Sequence, residues 1–164
     1  MGPGGVGEPL SSTRRWAAPV LLAMAIPGCH APSGGQARAG DLTVSHAVAT
    51  TAPGPGSQAS AFLVVDNRGE TTVTLVGVRS PAARTAQLHA ITGGRMQPVS
   101  QIAVPARGRL LLVPGRYHLM LDSLIRPLAL GDSVPLELQF QPAATLSVRA
   151  PVLRYGDAVK DLPQ

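Results

Sequence analysis

A chain of 164 residues has room for one domain with short extensions. Its 45% hydrophobic content argues against general disorder, and 14% charged residues with 18 Gly and 16 Pro suit a turn-rich β fold better than a helical bundle. The net charge of +5 comes from scattered arginines without the aromatic residues that stack on bases, which argues against nucleic acid as a partner.

Arg14-Arg15 is followed by "WAAPVLLAMAI" (16–26) and "PGC" (27–29). A basic pair, an apolar run and small residues before a break form a secretory signal pattern. The run is too short to cross a bilayer, which takes about 20 apolar residues. The glycine-rich stretch before Arg14 points to a start codon further downstream. Cys29 is the one cysteine, so no intrachain disulfide can form. "IPGC" resembles a bacterial lipobox, in which the cysteine is lipidated and begins the mature chain; Pro27 departs from that pattern. An ordinary cleaved signal that happens to contain a cysteine is the alternative. Both readings place the mature domain outside the cytoplasm of a bacterium, in the periplasm or cell envelope, and the lipobox ties it to the membrane by a lipid anchor. Residues 1–29 are then a leader and 30–40, "HAPSGGQARAG", a flexible tether.

From Asp41 the pattern changes to short alternating or apolar runs between turn residues. "LTVSHAVA" (42–49), "SAFLVVDN" (60–67) and "TTVTLVGVRS" (71–80) come first. "RTAQLHAIT" (84–92), Gly93-Gly94 and "RMQPVSQIAV" (95–104) read as a hairpin whose second arm is demoted to an edge by Pro98. "RLLLV" (109–113), "RYHLML" (116–121), "SVPLELQF" (133–140) and "TLSVRAPV" (145–152) complete the set. Eight or nine short strands with close turn signals predict a β-sandwich or barrel over 41–152. "SLIRPLAL" (123–130) is the one segment with a helical possibility, and Pro127 interrupts it. Residues 153–164 read as a polar, frayed tail.

Side chains alternate faces along a strand, so His118 and Met120 share one face. If Gly93-Gly94 is a two-residue turn, Thr92 pairs with Arg95 and Ile91 with Met96. His89 then shares a face with Met96 and lies diagonal to it. Met1 and Met24 fall in the leader, so both methionines of the mature domain belong to this constellation. So do two of the four histidines; His30 lies in the tether and His46 on the first strand. Thioether sulfur is soft and suits Cu(I) rather than Zn, Mg or Ca, and imidazole is an acceptable copper ligand. Blue-copper chemistry needs a thiolate, which the folded domain lacks. A methionine in a β core is commonly a gap filler and a lone histidine on an apolar strand a structural residue, so spacing alone leaves the filler reading open.

"QLHAITGGRMQPV" and "VPGRYHLMLDSLIRPLALGDSVPLELQF" resemble the periplasmic copper chaperone family PCuAC. Its motif is His, a gap, Met, twenty-one residues, then His-x-Met; twenty-one residues separate Met96 from His118 here. "LTVSHAVA" is also family-like, and the resemblance covers about residues 41–152. It implies an all-β, cupredoxin-like Greek-key β-sandwich with one Cu(I) held by His89, Met96, His118 and Met120. It also implies a metallochaperone, not an enzyme, that delivers copper to an acceptor such as the CuA centre of a cytochrome c oxidase subunit or its assembly factor. The six residues between His89 and Met96 are fewer than the family usually has, which implies a tighter hairpin. Ala90 stands where some members carry methionine, and His46 where an acidic residue is common; His46 reads as a surface histidine rather than an extra ligand.

No residue set suggests turnover: Asp122-Ser123 follows the motif, but the strained G-x-S-x-G nucleophile turn is absent. Two rival readings stand beside delivery. One is copper storage or scavenging for metal resistance, and the other is a non-metal envelope interaction module with His and Met as core filler.

Overall fold

The computed structural model describes residues 1–2, 35–142 and 144–163, and the architecture below lies in the unit Ala31–Gln164. Most of the leader, including Cys29, lies outside the described residues. In chain order the strands are β1 Gly35–Ala39, β2 Leu42–Thr50, β3 Ala59–Asn67, β4 Val73–Arg79, β5 Ala83–Thr92 and β6 Arg95–Val99. They continue with β7 Ile102–Val104, β8 Arg109–Leu112, β9 Tyr117–Leu124, β10 Ser133–Gln141 and β11 Ala144–Leu153, and a short helix, α1, spans Tyr155–Lys160.

The strands form one path, β6-β5-β9-β8-β3-β2-β11-β10-β4-β7, with β1 beside β2 and β9 also paired to β3. Most pairs are antiparallel, whereas β11–β2 and β8–β9 run parallel, so the sheet is mixed. The result is a nearly closed, barrel-like β fold of eleven strands. The expected β fold holds as a mostly β chain with one short helix, in a single mixed, barrel-like sheet, and the strand number of eight or nine needs correction to eleven. The stretch 95–104 is two strands: β6 pairs with β5, then the chain breaks at Ser100-Gln101 and β7 pairs with β4. Residues 35–39, expected to be tether, form β1 on β2.

The period-2 pattern carries the core. On β10, Val134, Leu136, Leu138 and Phe140 are buried while their neighbours are half exposed. They meet Leu63, Val65, Leu75, Leu112, Leu119 and Leu121 in the main cluster. Asn67 closes one end of it, its Nδ2 donating to the carbonyls of Thr71 (2.8 Å), Val104 (3.2 Å) and Pro105 (3.0 Å) while its Oδ1 accepts from the Gly69 N–H (3.0 Å). β3 is buried on both faces: Leu63 and Val65 face the core, whereas Phe62 joins Val48, Val113, Ala158 and Leu162 in a second cluster. That second cluster corrects the reading of residues 153–164 as a frayed tail. Tyr155, Ala158, Val159 and Leu162 recur at i, i+3, i+4 and i+7, and Ala158 and Leu162 are buried against the sheet.

Candidate metal centre

Alternation sorts the side chains of β5 and β9 onto two faces. Leu88 and Leu119 pair across the strands and enter the main cluster, with Leu121 beyond them. His89, His118 and Met120 therefore project from the opposite face. His89 lies directly across from His118, and the rings stack with centroids 5.8 Å apart and planes 20° apart. Met120 sits opposite Gln87 on β5 and Ser60 on β3.

Met96 arrives by the hairpin. Gly93 and Gly94 both take positive φ, 58° and 74°. Glycine adopts that conformation without a steric penalty, and two such residues match the twist of a tight hairpin. Thr92 pairs with Arg95, Ile91 with Met96 and His89 with Pro98, which is the register the sequence implies. Met96 therefore lies on the face of His89, on the edge strand β6. It differs from the other three in burial. Met96 is 50% exposed, against 9% for His89, 4% for His118 and 8% for Met120.

The histidine pair has unmet bonding capacity. His89 Nδ1 and His118 Nε2 are both buried without a hydrogen-bond partner. An orphaned buried polar atom costs about 1–3 kcal/mol, so such a pair points to a ligand. Burial first, and the charge of His89 second, hold the His118 pKa below its ordinary value of 6.5. His118 is therefore neutral near neutral pH, the state in which imidazole binds a metal. Among the described residues no group of three or more His, Cys, Asp or Glu could hold a metal ion. Met120 offers a thioether on the face of His89 and His118, and two imidazoles with thioethers fit Cu(I) and suit Zn, Mg or Ca poorly.

His46 stands apart from the pair in the sheet order. It sits at a bulge of β2 with φ of 54°, exposed, its Nδ1 3.1 Å from Ser45 Oγ. Two neighbours escaped the sequence reading. Phe62 lies 6.4 Å from His118 between ring centroids, and Tyr155 of α1 lies 6.2 Å from Phe62. Strand parity could have found Phe62, since Ala61 and Leu63 on either side of it are core positions.

A family model described as "Putative lipoprotein LpqE-like" matches residues 42–152. The chain belongs to the LpqE-like family. Among curated proteins, this LpqE-like chain is similar to "Putative lipoprotein Lxx21020" of Leifsonia xyli subsp. xyli (strain CTCB07), with 33% identity over 149 residues covering 86% of the chain and 89% of that relative. Among solved structures it is similar to the copper-bound PCuAC domain from PmoF2 (TM-score 0.63, 23% identity, 73% of this chain and 97% of that one), a likeness of fold. It is also similar to Cu(I)-DR1885 from Deinococcus radiodurans (TM-score 0.55, 32% identity, 68% and 79%) and to the apo form of DR1885 (TM-score 0.52, 30% identity, 92% and 96%). The resemblance to PCuAC proteins read from the sequence thus holds for the family and the fold.

Proposed function

We propose that this LpqE-like protein is an extracytoplasmic Cu(I) metallochaperone of cupredoxin-like type that binds one ion through His89, His118, Met120 and Met96. The observation that carries the reading is the stacked, buried His89–His118 pair with an orphaned nitrogen on each ring. Met120 beside it and Met96 across the hairpin supply the soft donors. The solved Cu(I) form of DR1885, 32% identical, supports the choice of metal. Four neutral ligands leave the ion's single charge uncompensated, which favours Cu(I) over a dication.

Release follows from the unequal burial of the donors. Met96 is exposed on an edge hairpin, so an incoming acceptor thiolate can displace its sulfur first and the buried histidines afterwards. The acceptor is a thiolate-bearing copper site, such as the CuA centre of a cytochrome c oxidase subunit or its assembly factor. The protein performs no turnover. Lipidation at Cys29 would hold it to the envelope membrane, in keeping with a family described as putative lipoproteins.

Titration of the mature domain with Cu(I) against a chromophoric chelator, under reducing conditions, tests the metal. One equivalent bound tightly, with Zn(II) far weaker, is expected; stoichiometric zinc binding without copper preference overturns the reading. Mixing the loaded protein with a copper-free CuA-type domain tests delivery. Retention of the ion would mark a storage protein instead.

A further inference from the structure

Two rings in series lead away from the histidine pair. His118 meets Phe62 at 6.4 Å with planes 52° apart, and Phe62 meets Tyr155 edge-on at 6.2 Å and 73°. Phe62, the member of the second cluster that meets the site, is 2% exposed, whereas Tyr155 is 56% exposed at the start of α1. Ala158 and Leu162 anchor α1 onto Val48, Phe62 and Val113. The helix has only six residues, far below the length at which a helix stands alone in water, so packing on the sheet holds it in place. It also lies beyond the family match, which ends at residue 152.

We propose that Tyr155, acting through Phe62, positions the His118 ring, and that α1 thereby forms the wall shutting water from that flank of the metal centre. This rests on the copper reading above. An apolar shell around a metal governs solvent access and local dielectric, and fixing a ligating imidazole raises its effective affinity. Phe62 cannot shift toward Tyr155 without vacating its contact with His118, so the position of α1 is transmitted to the imidazole through one rigid ring. The Tyr155 hydroxyl makes no hydrogen bond to any described residue, which leaves the ring as the working part. Tyr155 is a positioning residue and touches no metal.

The test compares wild type, Tyr155→Ala and Tyr155→Phe. Cu(I) affinity is measured by chelator competition, and the His118 ring carbon–proton signals are followed by NMR in the metal-free proteins. Losing a hydrogen-bonded partner of a metal ligand weakens binding by about 10–100-fold, and a ring that acts through Phe62 without a hydrogen bond should cost no more than the low end, about tenfold. Tyr155→Ala should show that loss and move the His118 signals while leaving the Asn67 side-chain amide in place. Tyr155→Phe should restore both. Wild-type affinity with unmoved His118 signals in Tyr155→Ala overturns the proposal, as does a Tyr155→Phe that fails to rescue. A wild type that takes up no Cu(I) overturns the copper reading itself, whereas a binding wild type with an indifferent Tyr155→Ala overturns only the wall.

Discussion

Replacing His118 by leucine should make the metal-free protein more stable while removing the proposed copper site. Wild-type His118 is 4% exposed with Nε2 buried and unpaired. Removing such an orphan recovers about 1–3 kcal/mol. Against this stands the loss of its ring contact with Phe62, about 0.5–1.5 kcal/mol. The balance is a gain of about 1 kcal/mol, which for a domain of this size raises Tm by about 3–5 °C. The gain should depend on pH. The folded pKa of His118 lies below its ordinary 6.5, so under acidic conditions the unfolded chain binds more protons than the folded one. Wild-type stability from this group is fully present above pH 6.5 and is lost as pH falls through the folded value. Leucine carries no such loss, so the variant's advantage widens between pH 8 and pH 5. Thermal melts of chelator-treated protein at both values, with a Cu(I) competition titration alongside, make the measurement. A variant less stable than wild type by about 2 kcal/mol or more, the scale of a lost core contact, would falsify the reasoning and make the pair structural.

Met96→Leu should change apo stability by no more than about 0.5 kcal/mol, because the side chain is 50% exposed, yet it should weaken Cu(I) binding; unchanged affinity removes Met96 from the ligand set. In the wild type, Cu(I) should slow amide hydrogen exchange over residues 89–96 more than over 116–121, and equal protection at both would contradict a loosely held Met96. Asn67→Ala strips three carbonyls and one N–H of their partner and should cost about 1–3 kcal/mol in denaturant unfolding without altering copper affinity; a neutral result would deny its role as a clamp. Cys29→Ser should leave the precursor uncleaved or release the protein from the membrane fraction, and a mature N-terminus at any other residue ends the lipoprotein reading.

What the sequence disclosed was whatever depends on strand parity and turn chemistry. Leu88, Leu119 and Leu121 had to face one way, which sent His89, His118 and Met120 the other. Gly93-Gly94 set the hairpin register because positive φ at both positions suits a two-residue loop. β1 was illegible because "GQARA" carries no β-branched residue; its place comes from backbone pairing with β2. The division of 95–104 depends on two distant partners, β5 and β4, that no local pattern names. α1 did have a signal, the spacing of Tyr155, Ala158, Val159 and Leu162. Arg154 at its N-cap makes no side-chain capping bond, so the usual start mark was missing.

The location of the proposed site on the sheet suits a fold that would both hold an ion and give it up. The proposed donors project from the face that the main core does not use, so they replace no core leucine. His118 and Met120 ride on β9, which is bonded to β5 on one side and to β3 and β8 on the other. His89 rides on β5, flanked by β9 and β6. Met96 rides on β6, at the end of the path, where residues 95–98 are all exposed. Backbone restraint therefore falls in the order β9, β5, β6, and the proposed ligands fall in the same order from fixed to free. Unpairing local structure is easiest at a frayed edge with few buried contacts. An exchange that begins at Met96 requires only the edge hairpin to move, and the histidines stay in place until a replacement donor is already bound. A four-donor site built on one central strand would retain its ion just as well, but it would offer an acceptor no end from which to begin.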